Sequence, residues 1–196
     1  MTKDDIHEIC KKYDITNYII NDDMSIDVHG IVVLFGEIIE LPLNFNKVTG
    51  TFICEKNRLI SLKGAPNYVG GNFICDHNFL TSLKYGPEYV KFEYVCNSNN
   101  ITSLKHIGHV GNEIFCVDNK IKTFEKLNTD KAVFFDNPIN ELWNLFRNKS
   151  HIDYFNELDI IQENGNVVIL DRLNYFLQDI DKKEVEKEDI KSYKVI

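Results

Sequence analysis

A chain of 196 residues with 43% apolar and 12% aromatic side chains can bury a core. Its net charge of −8 at pH 7 excludes roles that need clustered Lys and Arg, namely tracking nucleic-acid phosphates or anionic membrane surfaces. Protein partners remain, and a basic patch on the partner would suit this acidic balance. The opening MTKDDIHEIC has neither the basic nor the apolar stretch of a secretion signal, and no apolar run approaches the roughly 20 residues of a membrane span. A cytoplasmic chain with reduced thiols is therefore expected, which makes the N-x-[ST] triplets at Asn100 and Asn148 chance.

Residues 2–13 place Ile6, Ile9, Cys10 and Tyr13 on one helical face, with Thr2 or Asp4 as N-cap. Residues 18–28 read as a hairpin turning at Asn21–Asp23. Together, residues 1–27 form an expected N-terminal cap.

A repeat then carries the middle of the chain. Cys54, Cys75, Cys96 and Cys116 are spaced 21, 21 and 20 apart, and three residues after each comes Asn57, Asn78, Asn99 and Asn119. Leu59, Leu80, Ile101 and Ile121 follow at five after, and Leu62, Leu83, Leu104 and Phe124 at eight. Two before lie Phe52, Phe73, Tyr94 and Ile114; six before lie Val48, Val69, Val90 and Val110. Stepping back 21 residues from Cys54 predicts a degenerate turn on Val33, with Gly36 in the asparagine place, and Asn137 implies another on Phe134. About six turns are expected over 28–142.

The pattern F-x-C-x-x-N-x-L matches the L-x-L-x-x-N-x-L of leucine-rich repeats, with Phe and Cys in the first two leucine places. The longer phrase F-x-C-x-x-N-x-L-x-S-L-x-G-x-P-x-x-V resembles the repeat of a leucine-rich-repeat family of large tailed bacteriophages, as do the flanks MSIDVHG and NPINELWNLFRNKSHIDYFNELDIIQENGNVVILDRL. Gly108 departs from the pattern where its predecessors have Pro66 and Pro87. The resemblance implies a short α/β solenoid with a parallel sheet. It implies no defined reaction, and it suggests a phage protein that meets a bacterial host protein of defence or takeover.

The spacing assigns the cysteines a structural role. One Cys per turn, with neighbouring strands about 4.8 Å apart, makes a row, and four points in a row cannot surround a tetrahedral ion. Parallel Cβ directions and a reducing compartment disfavour disulfides. Phe and Cys should face inward, and the Asn column should hydrogen-bond backbone groups where each strand bends. Cys116-Val117-Asp118 spells the C-x-D of a ubiquitin-ligase nucleophile, but it lies in the repeat register. His106 and His109 form an H-x-x-H without an evident third ligand, so neither metal nor cofactor is expected.

Alternation aims the residues beside each Cys outward. One before lie Val32, Ile53, Ile74, Val95, Phe115 and Val133; one after lie Leu34, Glu55, Asp76, Asn97, Val117 and Phe135; three before lie Thr51, Asn72, Glu93 and Glu113. The candidate partner surface is the apolar column, flanked by Glu55, Asp76, Glu93, Asn97 and Glu113. Soluble monomers seldom leave such a stripe bare. The alternatives are coverage by a terminal segment, or plain strand propensity.

After Pro138, two short helices, a turn at Asn164–Gly165, a strand in NVVIL and a helix in DRLNYFLQDI make a C-terminal cap over 143–180, its aromatic cluster serving as core. The mixed charges of 181–196 read as a solvated tail, although SYKVI could add an edge strand. A rival enzyme site in the cap would have to use His151, Asp153, Asp171 and Arg172, whose spacing matches no catalytic pattern. Self-assembly is the third reading. The expectation is thus a capped, non-enzymatic interaction solenoid.

Overall fold

In the computed structural model, residues 1–124 and 131–196 are described, the side chain of Lys149 excepted. The chain opens with helix α1 (Lys3–Lys12). Thr2 caps it: its Oγ1 accepts from Asp5 N while Asp5 Oδ2 accepts from Thr2 N, closing a capping box. Strands β1 (Tyr18–Ile20) and β2 (Ile26–Val28) form the expected hairpin, pairing antiparallel from Tyr18↔Val28 to Ile20↔Ile26.

From β2 the chain coils as a β-solenoid. The turns are β2 with β3 (Val32–Val33), β4 (Phe45–Val48) with β5 (Phe52–Ile53), β6 (Tyr68–Val69) with β7 (Phe73–Ile74), β8 (Tyr89–Val90) with β9 (Tyr94–Val95), and β10 (His109–Val110) with β11 (Glu113–Phe115). A last strand, β12 (Lys131–Val133), adds half a turn, so the stack has about five turns rather than six. Two parallel sheets result, not one. Across both, the solenoid strands pair parallel and each bonds to its counterpart a turn away; only β1, at the edge of the first sheet, runs antiparallel. The second member of each turn makes the sheet expected from F-x-C. The first makes a sheet through the Val48, Val69, Val90 and Val110 column, whose valines are all buried.

Between the sheets the side chains stack in columns. The Phe52 and Phe73 rings lie 5.6 Å apart and nearly parallel, and Tyr94 continues the file 4.9 Å beyond Phe73. Cys54, Cys75, Cys96 and Cys116 form a second fully buried file. Burial pushes the Cys96 thiol up to about 12 and raises the other three thiols as well, so they are neutral at pH 7.

Two residues past each Cys the backbone turns left-handed, at Lys56, His77, Ser98 and Asp118, with φ between 49° and 54°. That corner strips several carbonyls of strand partners, and the Asn column satisfies them. Asn78 Nδ2 donates to Cys54 O, Cys75 O and Asp76 O at 3.0–3.1 Å, while its Oδ1 accepts from Leu59 N. Asn57, Asn99, Asn119 and Asn137 repeat the arrangement, each tying its own turn to the one before. The repeated S-L-K has a local cause as well: Ser61, Ser82 and Ser103 accept through Oγ from the N–H two residues on, which closes a turn.

One substitution between turns explains another. In the Phe/Tyr file, Tyr94 brings an extra hydroxyl, and a Cβ on Gly86 would stand 2.7 Å from it. The preceding turn has Ala65 in the place of Gly86 and Phe73 in the place of Tyr94. The methyl group and the hydroxyl compete for one space, so each turn holds one of them. Tyr94 Oη has no hydrogen-bond partner among the described residues.

The C-terminal cap follows the expected order. Helices α2 (Ile139–Phe146) and α3 (Ile152–Glu157), the hairpin of β13 (Ile161–Gln162) with β14 (Val167–Val168), and α4 (Leu170–Asp179) close the stack. Phe124, Phe134, Trp143, Phe146, Phe155 and Phe176 pack ring against ring at centroid distances of 5.2–6.4 Å, which makes the aromatic cluster a core. Segment 181–196 is not a free tail. Its end forms β15 (Lys194–Val195), parallel to β14, and Glu141 accepts from Lys191 N and Ser192 N at 2.8 Å. Ile190, Tyr193 and Val195 are buried, because the apolar residues spaced among the charges seal the cap. Among the described residues no helix is long and apolar enough to cross a membrane.

Candidate functional site

The outer face of the second sheet presents the column Val33, Ile53, Ile74, Val95, Phe115 and Val133, in lateral register from strand to strand. Five of the six expected residues are there, and each is partly exposed. Val32 is not: it pairs with Phe52 and is fully buried, and Val33 takes its place with 43% of its surface exposed. The first turn is one residue shorter than the 21-residue step assumed, and in a strand a slip of one exchanges the faces. Leu34 accordingly joins the buried cysteine file, and exposed Phe35 replaces it outside, edge-on to Tyr13 at 5.5 Å.

The flanking residues are held more tightly than their chemistry alone suggests. Glu93 Oε2 accepts from Asn72 Nδ2, and Asn72 Oδ1 accepts from Glu93 N. Asn97 Oδ1 accepts from Val117 N at 2.8 Å. Glu55 lies 3.9 Å from Lys56, whereas Asp76 is only 8% exposed and meets His77 Nδ1 through Oδ2 at 2.6 Å. Its Oδ1 is buried without a partner among the described residues. Glu113 stands opposite Lys131 across β11 and β12. At the far end, beside exposed Phe135, residues Val133, Trp143 and Arg147 line a depression of about 190 Å³. Trp143 and Arg147 escaped the sequence reading because they belong to the cap and meet the stripe only through the fold.

The rival cap residues are scattered. Arg172 bonds Asp159 O and Oδ2 at 2.8 and 3.0 Å, and His151 packs edge-on to Phe176. Asp153 and Asp171 are exposed on separate helices. His109 stacks on Tyr89 while His106 is exposed in the preceding turn. Among the described residues no three His, Cys, Asp or Glu side chains form a metal-sized group.

These features define a capped β-solenoid with one apolar, acid-flanked face. Comparisons with models of protein families, with curated proteins and with solved structures found no match.

Proposed function

We propose that the outer face of the second sheet binds a protein partner carrying a basic segment, and that the chain acts by that binding rather than by catalysis. One observation carries this reading. The column from Val33 to Val133 runs the length of the sheet at intermediate to high exposure, beside the carboxylates of Glu55, Glu93 and Glu113. Apolar columns of this kind mark interaction sites, and the carboxylates would steer a cationic surface onto them.

The repeat phrase supports placing the protein among phage leucine-rich-repeat proteins, acting in the cytoplasm of an infected bacterium on a defence or takeover protein. The test is affinity capture from bacterial lysate with the intact chain and with Ile53→Lys/Ile74→Lys/Val95→Lys. The intact chain should retain a partner that the variant loses. Equal capture by both would remove the face from the account, and turnover that survives in the variant would replace binding with an enzyme in the cap.

A further inference from the structure

We propose that the outer face of the second sheet selects an arginine on its partner and that Asp76 receives it, an inference that rests on reading this face as a binding surface. The register sets Glu55, Asp76 and Asn97 side by side on that face, one strand spacing of about 4.8 Å apart.

The three members of this file are satisfied differently. Asn97 Oδ1 accepts from Val117 N of the next turn at 2.8 Å, and the Glu55 side chain is 38% exposed to water. Asp76 has neither remedy. Only 8% of it is exposed; its Oδ2 accepts from His77 Nδ1 at 2.6 Å, and its Oδ1 is buried with no donor among the described residues. A carboxylate in that state is short of the donors that burial demands. Its charge reaches inward as well: after burial itself, Asp76 is the largest cause raising the Cys54 and Cys96 thiols.

The missing donors are ones a partner can bring. His77 stands across the approach with 54% of its side chain exposed, and among the described residues its ring makes no other hydrogen bond. Once it swings aside, rotation of the Asp76 carboxylate about Cβ–Cγ turns both oxygens toward the surface, where a guanidinium can bind them side by side. The remaining N–H groups of the fork then reach Glu55 on the neighbouring strand, which a compact ammonium cannot do at the same time. The aliphatic stem of the arginine lies on Ile53 and Ile74, which share the face two residues back. Among the described residues no three His, Cys, Asp or Glu side chains could hold a metal ion, so the cation that fits is an organic one.

The test is NMR titration of the isotope-labelled full chain with acetyl-Leu-Arg-Leu-amide and its lysine and citrulline counterparts, citrulline being the neutral isostere of arginine. The arginine peptide should shift the Asp76 and Glu55 carboxyl resonances with a dissociation constant of about 1–10 mM, and the other two should bind at least about fivefold more weakly. Asp76→Asn should weaken the arginine peptide about tenfold or more with the melting temperature unchanged or raised, since a buried charge is gone. His77→Ala should tighten it about two- to fivefold by clearing the approach. Equal binding of the three peptides, or no shift at Asp76, overturns the proposal and leaves the apolar face standing, because that face falls only if Ile53→Lys/Ile74→Lys/Val95→Lys captures as the parent does. A fall of more than about 5 °C in Asp76→Asn also overturns it, by making Asp76 a support of the fold.

Discussion

The two sheets are wound from the same turns, yet their outer faces differ in kind. On the first sheet the register sets Lys47, Tyr68, Tyr89 and His109 in a file. Tyr68 and Tyr89 stack at 5.2 Å within 3° of parallel, His109 continues the stack, and Lys47 Nζ caps it 5.4 Å from the Tyr68 centroid. Each ring there finds its partner in the next turn. On the second sheet the file is aliphatic except for Phe115, and it is acid-flanked. The coil is thus fixed by what lies between the sheets, and each outer column is free to carry its own chemistry.

Breaking an inner column should have the largest effect. Phe73→Ala should cost about 3–5 kcal/mol by chemical denaturation, and Asn78→Ala about 2–4 kcal/mol, because the latter strands several buried carbonyls and one N–H. A loss under about 1 kcal/mol for either would mean that the files are not what holds the turns together.

Raising the pH should act next. The four file thiols keep their protons in the folded state well above the ordinary thiol value, by burial first, and lose them on unfolding. Their folded values are raised, so their contribution is fully present below about pH 8.5 and is lost as pH climbs through the folded values. In that range each thiol removes roughly 1.4 kcal/mol per pH unit. Cys75→Ala should show a shallower alkaline decline than the parent in denaturant melts at successive pH values; equal slopes would contradict the burial of that thiol.

A smaller effect sharpens the link between neighbouring turns. Gly86→Ala should destabilise by about 1–3 kcal/mol through its clash with Tyr94 Oη. Adding Tyr94→Phe should recover most of that loss, because the pair then matches Ala65 with Phe73, although the Leu83 carbonyl 3.0 Å away keeps the site tight. Additive costs in the double-mutant cycle would separate the two positions.

How much of this was legible in the sequence depended on periodicity. The Phe, Cys, Asn and Leu columns declared themselves by recurring every 20 or 21 residues, and the asparagine ladder followed from the need to satisfy a bent backbone. The first sheet was hidden: its strands are two residues long at β6, β8 and β10, too short to show alternation, and only the lone valine column hinted at it. Val32 was misplaced because the first turn lacks both Cys and Asn, which left no anchor for a one-residue difference. The end of the chain was read in part: SYKVI was open to an edge strand, which β15 forms, but the charges outnumber the three apolar residues that dock the segment and made it read first as a solvated tail.

The most direct test of the contrast between inner and outer columns is thermal unfolding of Ile53→Lys/Ile74→Lys/Val95→Lys. If the column faces solvent and serves a partner, the melting temperature should move by no more than about 5 °C, as surface changes of this number do. A fall of more than about 10 °C, comparable with Phe73→Ala, would show that the stripe is part of the fold's own interior.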